Sequence, residues 1–137
     1  MFYSPLRYPG GKGKLEPFME LMIKKLNHVG GVYIEPFAGG AGIAMGLLEN
    51  DLVSDVVIND LDKGIYSFWR ASLSETDRFL EEIMNVPLTM DEWRRQRDIC
   101  FNDNKKYSFE LGFATFYMNR TNRSGIIKGG VIGGQEQ

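Results

Sequence analysis

A chain of 137 residues with 43% hydrophobic and 25% charged side chains has the length and balance of one soluble globular domain with its own core. Its single cysteine, Cys100, excludes an internal disulfide, and its single histidine, His28, cannot complete a zinc site with that cysteine alone. The net charge of −2 argues against a general nucleic-acid binder. The apolar runs are too short for a membrane span and the first residues hold no signal-peptide core, so a reduced, cytoplasmic protein without membrane or metal is expected.

In chain order, Gly10-Gly11-Lys12-Gly13-Lys14 reads as a flexible loop leading into a helix. Leu15, Phe18, Met19, Met22, Ile23 and Leu26 form its apolar stripe, and Gly30-Gly31 is read as its end. Val32-Tyr33-Ile34 follows as a short strand, broken by Glu35-Pro36-Phe37 and the loop Ala38-Gly39-Gly40-Ala41-Gly42. A second helix runs over about 43–49 and is stopped by Asn50-Asp51; residues 55–60 read as the next strand. Strand, glycine loop, helix and strand make a βαβ unit, whose strands should be parallel with a right-handed crossover. From Asp62 the pattern is helical. Ser74 with Asp77 and Thr89 with Glu92 have capping-box spacing and predict helices over roughly 75–86 and 90–101, separated by Pro87. A further helix is expected at about 108–118, followed by a glycine-rich loop or hairpin that ends without a closing element.

Charge is unevenly spread. Residues 1–86 carry 8 Lys and Arg against 12 Asp and Glu, whereas residues 87–137 carry 8 against 6. The basic side chains of the second part cluster as Arg94-Arg95-x-Arg97, Lys105-Lys106 and Arg120-x-x-Arg123. Such clusters suit a phosphate backbone or, equally, a solvated helix face.

Glu35-Pro36-Phe37-Ala38-Gly39-Gly40-Ala41-Gly42 closes a strand and opens a helix, where glycines allow backbone amides to approach a ligand closely. Asp60, at the end of the next strand, is placed to take a ribose diol. Positions 39–44 read Gly-Gly-Ala-Gly-Ile-Ala rather than G-x-G-x-x-G, and Gly13 stands where a Walker loop needs Ser or Thr. A nucleoside ligand without phosphate therefore fits better than a dinucleotide, although a tight turn without any ligand is the plain alternative.

Pro9-Gly10-Gly11-Lys12, Glu35-Pro36-Phe37-Ala38-Gly39-Gly40, Asn59-Asp60 and Phe116-Tyr117-Met118-Asn119-Arg120-Thr121, in that order, resemble the Dam-like DNA adenine-N6 methyltransferases over nearly the whole chain. The resemblance implies an α/β fold, part of a Rossmann-like S-adenosylmethionine-dependent methyltransferase with an inserted, mainly helical DNA-recognition region. Residues 1–74 would be the S-adenosylmethionine-binding part and residues 75–137 a partial recognition domain. Tyr8, Pro9, Gly10 and Lys12 would line the methionine end of the cofactor, and Phe37, Gly39 and Gly40 its floor. Asp60 would hold the ribose and Glu35 would lie near the methionine ammonium or orient the loop. For Tyr8 and Phe37 the alternative is core packing, and for Lys12 a surface position at a helix start. Arg95, Asn119, Arg120, Thr121 and Arg123 would meet double-stranded DNA. Asn122-Arg123-Ser124-Gly125 departs from the usual Phe-Asn-Gly continuation, which leaves the target sequence open.

The family holds the adenine amino group with an Asp/Asn-Pro-Pro-Tyr/Phe segment. The five prolines here, Pro5, Pro9, Pro17, Pro36 and Pro87, include no adjacent pair, so no catalytic residue is assigned. The expectation is an amino-terminal part of such an enzyme, inactive alone, whose sheet edges favour self-association and whose parent could work beside a restriction endonuclease. A non-catalytic cofactor- or DNA-binding remnant and a nicotinamide-dependent oxidoreductase are the competing readings.

Overall fold

The computed structural model describes residues 4–8 and 10–134. The chain divides into two compact units, Met1–Asp60 and Leu61–Gln137. Among the described residues, no helix is long and apolar enough to cross a membrane.

In the first unit a 3-10 turn at Lys12–Leu15 leads into α1 (Glu16–Lys25), followed by β1 (Gly31–Glu35), α2 (Gly42–Glu49) and β2 (Val53–Ile58). The two strands are parallel, with Tyr33 opposite Val56 and Ile34 opposite Val57. On one face of this sheet Ile43 and Leu47 of α2 pack with Leu52 and Val53, and Met19, Ile23, Tyr33 and Val56 close around them. The alternation of the strands puts Val32, Ile34 and Val57 on the other face, where all three are exposed. The second strand begins two residues earlier than its apolar centre suggests.

Both helices end on a residue in the left-handed region. After α1, Asn27 adopts φ 55°, its N–H bonds Lys24 O at 3.2 Å, and the His28 N–H bonds Ile23 O at 3.0 Å. After α2, Asp51 adopts φ 54°, and the bonds run from Asp51 N to Leu48 O and from Leu52 N to Leu47 O. These are Schellman closures, which satisfy the orphan carbonyls of a last turn. The stop after α1 is thus Asn27 and not Gly30-Gly31. Asn and Asp serve here because a short polar side chain lowers the cost of positive φ.

The second unit consists of α3 (Lys63–Ser74), α4 (Thr76–Asn85), α5 (Met90–Asn102) and α6 (Phe109–Thr121), with a 3-10 turn at Arg123–Gly125. Asp62 caps α3 by accepting from the Gly64 and Ile65 amides, and Ser108 caps α6 by accepting from Leu111 N. The expected Thr89 cap is present, with Glu92 N as donor, but Glu92 turns its carboxylate toward Arg95 and Gln96 instead of back to the cap. Ser74 does not cap: it is the last residue of α3, and α4 starts from Glu75 without a side-chain cap. The helices meet there almost without a break, which leaves Ser74 no non-helical position from which to cap.

Helices α3 and α6 approach closely through small residues. A Cβ on Gly112 would run into the Ser67 carbonyl, and one on Gly64 into the Thr115 hydroxyl. Around that seam the rings of Phe68, Phe79, Phe109, Phe113 and Phe116 stack or meet edge to face, with Phe79 within 6.0 Å of the other four. A polar cluster lies at the α3–α4 junction. The Tyr107 hydroxyl donates to Glu75, and Arg78 bridges Glu75 at 2.9 Å and Glu110 at 3.0 Å.

After α6 the chain folds back as a narrow hairpin, with Ile132 N donating to Thr121 O and Arg123 N to Gly130 O. Asn122, fully buried, fills its centre. The side-chain amide donates to the carbonyls of Ile126, Ile127 and Gly129 at 2.9–3.2 Å and accepts from the Trp93 indole at 2.8 Å. Removing it leaves several buried groups unpaired. Asn122→Ala is therefore expected to lower stability by about 2–4 kcal/mol in urea unfolding.

Glu75 is held below the usual carboxylate range, first by the Tyr107 hydroxyl and then by Arg78. A carboxyl depressed on folding stabilises above its unfolded value, and that contribution disappears as pH falls through the folded one. Glu75→Gln should thus flatten the acid limb of a stability–pH curve while leaving its slope above the unfolded carboxylate range unchanged.

Candidate functional site

The carboxyl ends of β1 and β2 carry the glycine loop. Past the last ladder pair, Asn59 N donates to Glu35 O and Ala38 N to Asn59 O, so the strands stay joined into the turn. The Asn59 side chain adds a bond to Pro36 O at 3.3 Å. Asp60 then accepts the Gly39 N–H on Oδ2 at 2.7 Å. The pair Asn59-Asp60 thereby fixes both halves of the loop. Sequence reasoning gives Asp60 a ligand role and misses the work of Asn59, whose only signal is its place beside the acid.

Gly39 lies at φ 50°, and a Cβ there would meet the Tyr8 ring; one on Gly40 would meet the Ser4 hydroxyl. Glycine is needed at both positions because the amino-terminal segment lies against the loop. Ala41 also adopts positive φ, 49°, with its N–H on Ala38 O, and α2 starts immediately after it without a side-chain cap.

Beneath the loop Glu35 is buried, 4% exposed, and its Oε1 forms an ion pair with Lys12 Nζ at 2.6 Å. The same ammonium donates to Phe37 O at 2.6 Å. Among the described residues Glu35 Oε2 is buried and has no hydrogen-bond partner. Lys12 is therefore not a lone surface lysine. Phe37 is 72% exposed and Tyr8 42%, so Phe37 is not a core residue and presents its ring outward from the loop. Gly10 adopts φ 75° in the turn that brings Lys12 back, and Gly11 N donates to Tyr8 O. The structure thus places Tyr8, Gly10, Lys12, Glu35, Phe37, Gly39, Gly40 and Asp60 within one unit, at and below one loop. Pro9 lies outside the described residues.

The predicted polar residues of the second unit separate into buried and exposed sets. Asn119 is 1% exposed and its amide donates to Gly125 O at 2.8 Å. Thr121 is half-buried, with its hydroxyl on Tyr117 O. Arg120 and Arg123 are exposed, Arg120 lying 5.7 Å from the Phe116 ring centre. Arg95 donates to Glu92, a nearly buried carboxylate, at 3.0 Å. Cys100 offers no nucleophile: burial pushes its thiol up to about 12. Among the described residues no group of three or more His, Cys, Asp or Glu is arranged to hold a metal.

A buried carboxylate that loses its cation keeps the desolvation cost of both oxygens. Because Lys12 is itself 43% exposed, water replaces part of what it supplies. Lys12→Ala is expected to cost about 1–3 kcal/mol of stability, and Lys12→Arg to restore most of it, as read by thermal unfolding.

Residues 8–128 match the D12 class N6 adenine-specific DNA methyltransferase family. A similar protein is the Type II methyltransferase M.MjaIII of Methanocaldococcus jannaschii, 29% identical over 136 aligned positions that cover 90% of this chain. The chain spans about half of that relative, 47% of its length. With the family match extending over nearly all of the chain, from the Tyr8 turn through the hairpin after α6, this protein belongs to the D12 class N6 adenine-specific DNA methyltransferase family.

Proposed function

We propose that the first unit binds S-adenosylmethionine as methyl donor, and that the second contacts DNA for an enzyme methylating adenine at N6. The observation that carries the donor reading is Glu35. A carboxylate this buried, with Oε1 on Lys12 and Oε2 without a partner among the described residues, has an oxygen available to a second cation. The donor's α-ammonium is such a cation. Asp60, held by Gly39 N, stands at the strand end where a ribose diol is taken, and the exposed Phe37 ring offers a flat apolar surface to an adenine. On this reading β1, α2 and β2 open a Rossmann-like sheet, and residues 75–137 belong to an inserted recognition region.

When bound, the donor supplies an electrophilic methyl group on a sulfonium. The residues of this chain bind and orient it: Glu35 balances charge, Lys12 holds one Glu35 oxygen, and Asp60 with the Gly39 amide fixes the loop. Methyl transfer also needs the target base turned out of the duplex with its amino nitrogen in line with the methyl group. The 137 residues contain no Pro-Pro segment to hold that amino group, so they bind the donor without transferring its methyl. In the second unit Arg120 and Arg123 are exposed guanidiniums suited to phosphate or guanine. Asn119 and Thr121 support them from within, while Arg95 is engaged with Glu92.

Calorimetric titration with S-adenosylmethionine, with NADH in parallel, tests the donor site. Binding of S-adenosylmethionine alone is expected, lost on Asp60→Ala and weakened about tenfold or more by Glu35→Gln, which removes the charge facing the ammonium. Binding of NADH instead would overturn the reading. A labelled-methyl assay on duplex DNA should show no transfer above the Asp60→Ala background.

A further inference from the structure

Helix α5 carries three arginines, and their neutralisation differs. Arg94 pairs with Asp91 at 2.9 Å and Arg95 with Glu92 at 3.0 Å, each one turn away. Among the described residues Arg97 pairs only with Asp98, its chain neighbour, at 3.9 Å, and that carboxylate is 69% exposed. Arg97 instead lies 4.8 Å from the centre of the Phe101 ring. The same ring receives a second cation from a distant part of the chain. Lys128 Nζ, on the hairpin after α6, is 5.6 Å from its centre. Among the described residues Lys128 makes no ion pair.

Two cations brought to one half-exposed phenylalanine repel each other. The ring quadrupole offsets part of that repulsion, at about 0.5–1 kcal/mol for each exposed contact. Nothing in the covalent chain requires the meeting. It follows from Asn122, which gathers the carbonyls of Ile126, Ile127 and Gly129 around its amide and ties the hairpin to α5 through Trp93. The hairpin is thereby closed on the helix that bears Arg97 and Phe101. A buried residue shaping a loop so that its lysine joins an under-neutralised arginine makes a preformed polycation site. Its complement is a partner with closely spaced negative charges, and a DNA strand carries one about every 3.4 Å.

We propose that Arg97, Phe101 and Lys128 form a contact with the DNA phosphate backbone, in addition to Arg120 and Arg123. Arg97 and Lys128 meet phosphates, and Phe101 positions both cations. The contact is independent of base sequence, so it sets register and affinity without selecting a site. This inference rests on the reading of the second unit as DNA-contacting.

The test is fluorescence anisotropy of the 137-residue chain with a short duplex DNA over a range of salt concentrations. Arg97→Gln and Lys128→Gln should each weaken binding roughly 3–10-fold near 0.1 M salt. Each should also reduce the slope of log affinity against log salt by about 0.9. Lys128→Arg should keep both affinity and slope, and Phe101→Leu should weaken binding by about 2–5-fold through the lost ring face. If the unsubstituted chain binds and Arg123→Ala weakens it, while Arg97→Gln and Lys128→Gln leave the slope unchanged, the patch is not a contact. If the unsubstituted chain does not bind duplex DNA at any salt concentration, the reading of the second unit fails and the patch fails with it.

Discussion

A carboxylate buried at the end of a strand has to be neutralised, and the first unit is arranged around that requirement. Glu35 closes β1 with its side chain under the glycine loop, where water does not reach it. Leaving it unpaired would cost several kcal/mol. Lys12 supplies the charge from a turn 23 residues earlier, and the turn at Gly10-Gly11 exists to return it. The same ammonium holds Phe37 O, so one cation fixes both the acid and the loop above it. A lysine satisfies one oxygen of the pair, and among the described residues the other is buried without a hydrogen-bond partner. Burial and the ion pair are thus two consequences of placing one Glu before Pro36.

The loop is held from below by Lys12 and from the side by the next strand. Asn59 extends the parallel ladder past its last pair, and Asp60 receives the Gly39 amide. A parallel pair aligns its carboxyl ends, so residues separated by 21 positions become neighbours without any further element. Positive φ at Gly39 and Ala41 is the conformational cost of turning from strand to helix in so few residues. It is offset by this hydrogen bonding. The second unit solves a different problem, packing long helices closely. There small residues at Gly64, Ser67 and Gly112 admit the backbone of one helix to the other, and rings fill the flanks.

Much of this was legible in the sequence. The βαβ order, the parallel pairing and the helices of the second unit follow from periodicity and from the placement of glycines. What was not legible depends on partners distant in the chain. Ser74 has the spacing of a cap, but α3 runs through it, because a helix boundary is set by packing on its neighbours as much as by local signals. Gly30-Gly31 looks like a stop, yet Asn27 takes the left-handed position first. Asn119-Arg120-Thr121 reads as a polar surface motif. One helical turn separates its fates: Asn119 faces inward to Gly125, Arg120 faces solvent, and Thr121 bonds its own helix. Asn122, which organises the hairpin, is a single polar letter among several, and nothing in its neighbourhood distinguishes it until the carbonyls of residues 126–129 are seen around it.

Net charge is equally silent on how the charges are paired. The chain is acidic overall, and its second part holds only two more basic than acidic residues. The local balance depends on which cations already have a carboxylate. Arg94 and Arg95 are matched within their own helix by Asp91 and Glu92, a consequence of three-residue spacing. Three residues before Arg97 stands Arg94 rather than an acid, so Arg97 lies over the Phe101 ring, with its chain neighbour Asp98 at 3.9 Å. Helical periodicity therefore sorts the arginines at 94, 95 and 97 into two with an acid one turn away and one without. Folding of the hairpin then adds Lys128 at the same ring. A local excess of positive charge arises in an acidic protein because pairing is decided by geometry, and composition counts charges without regard to their partners.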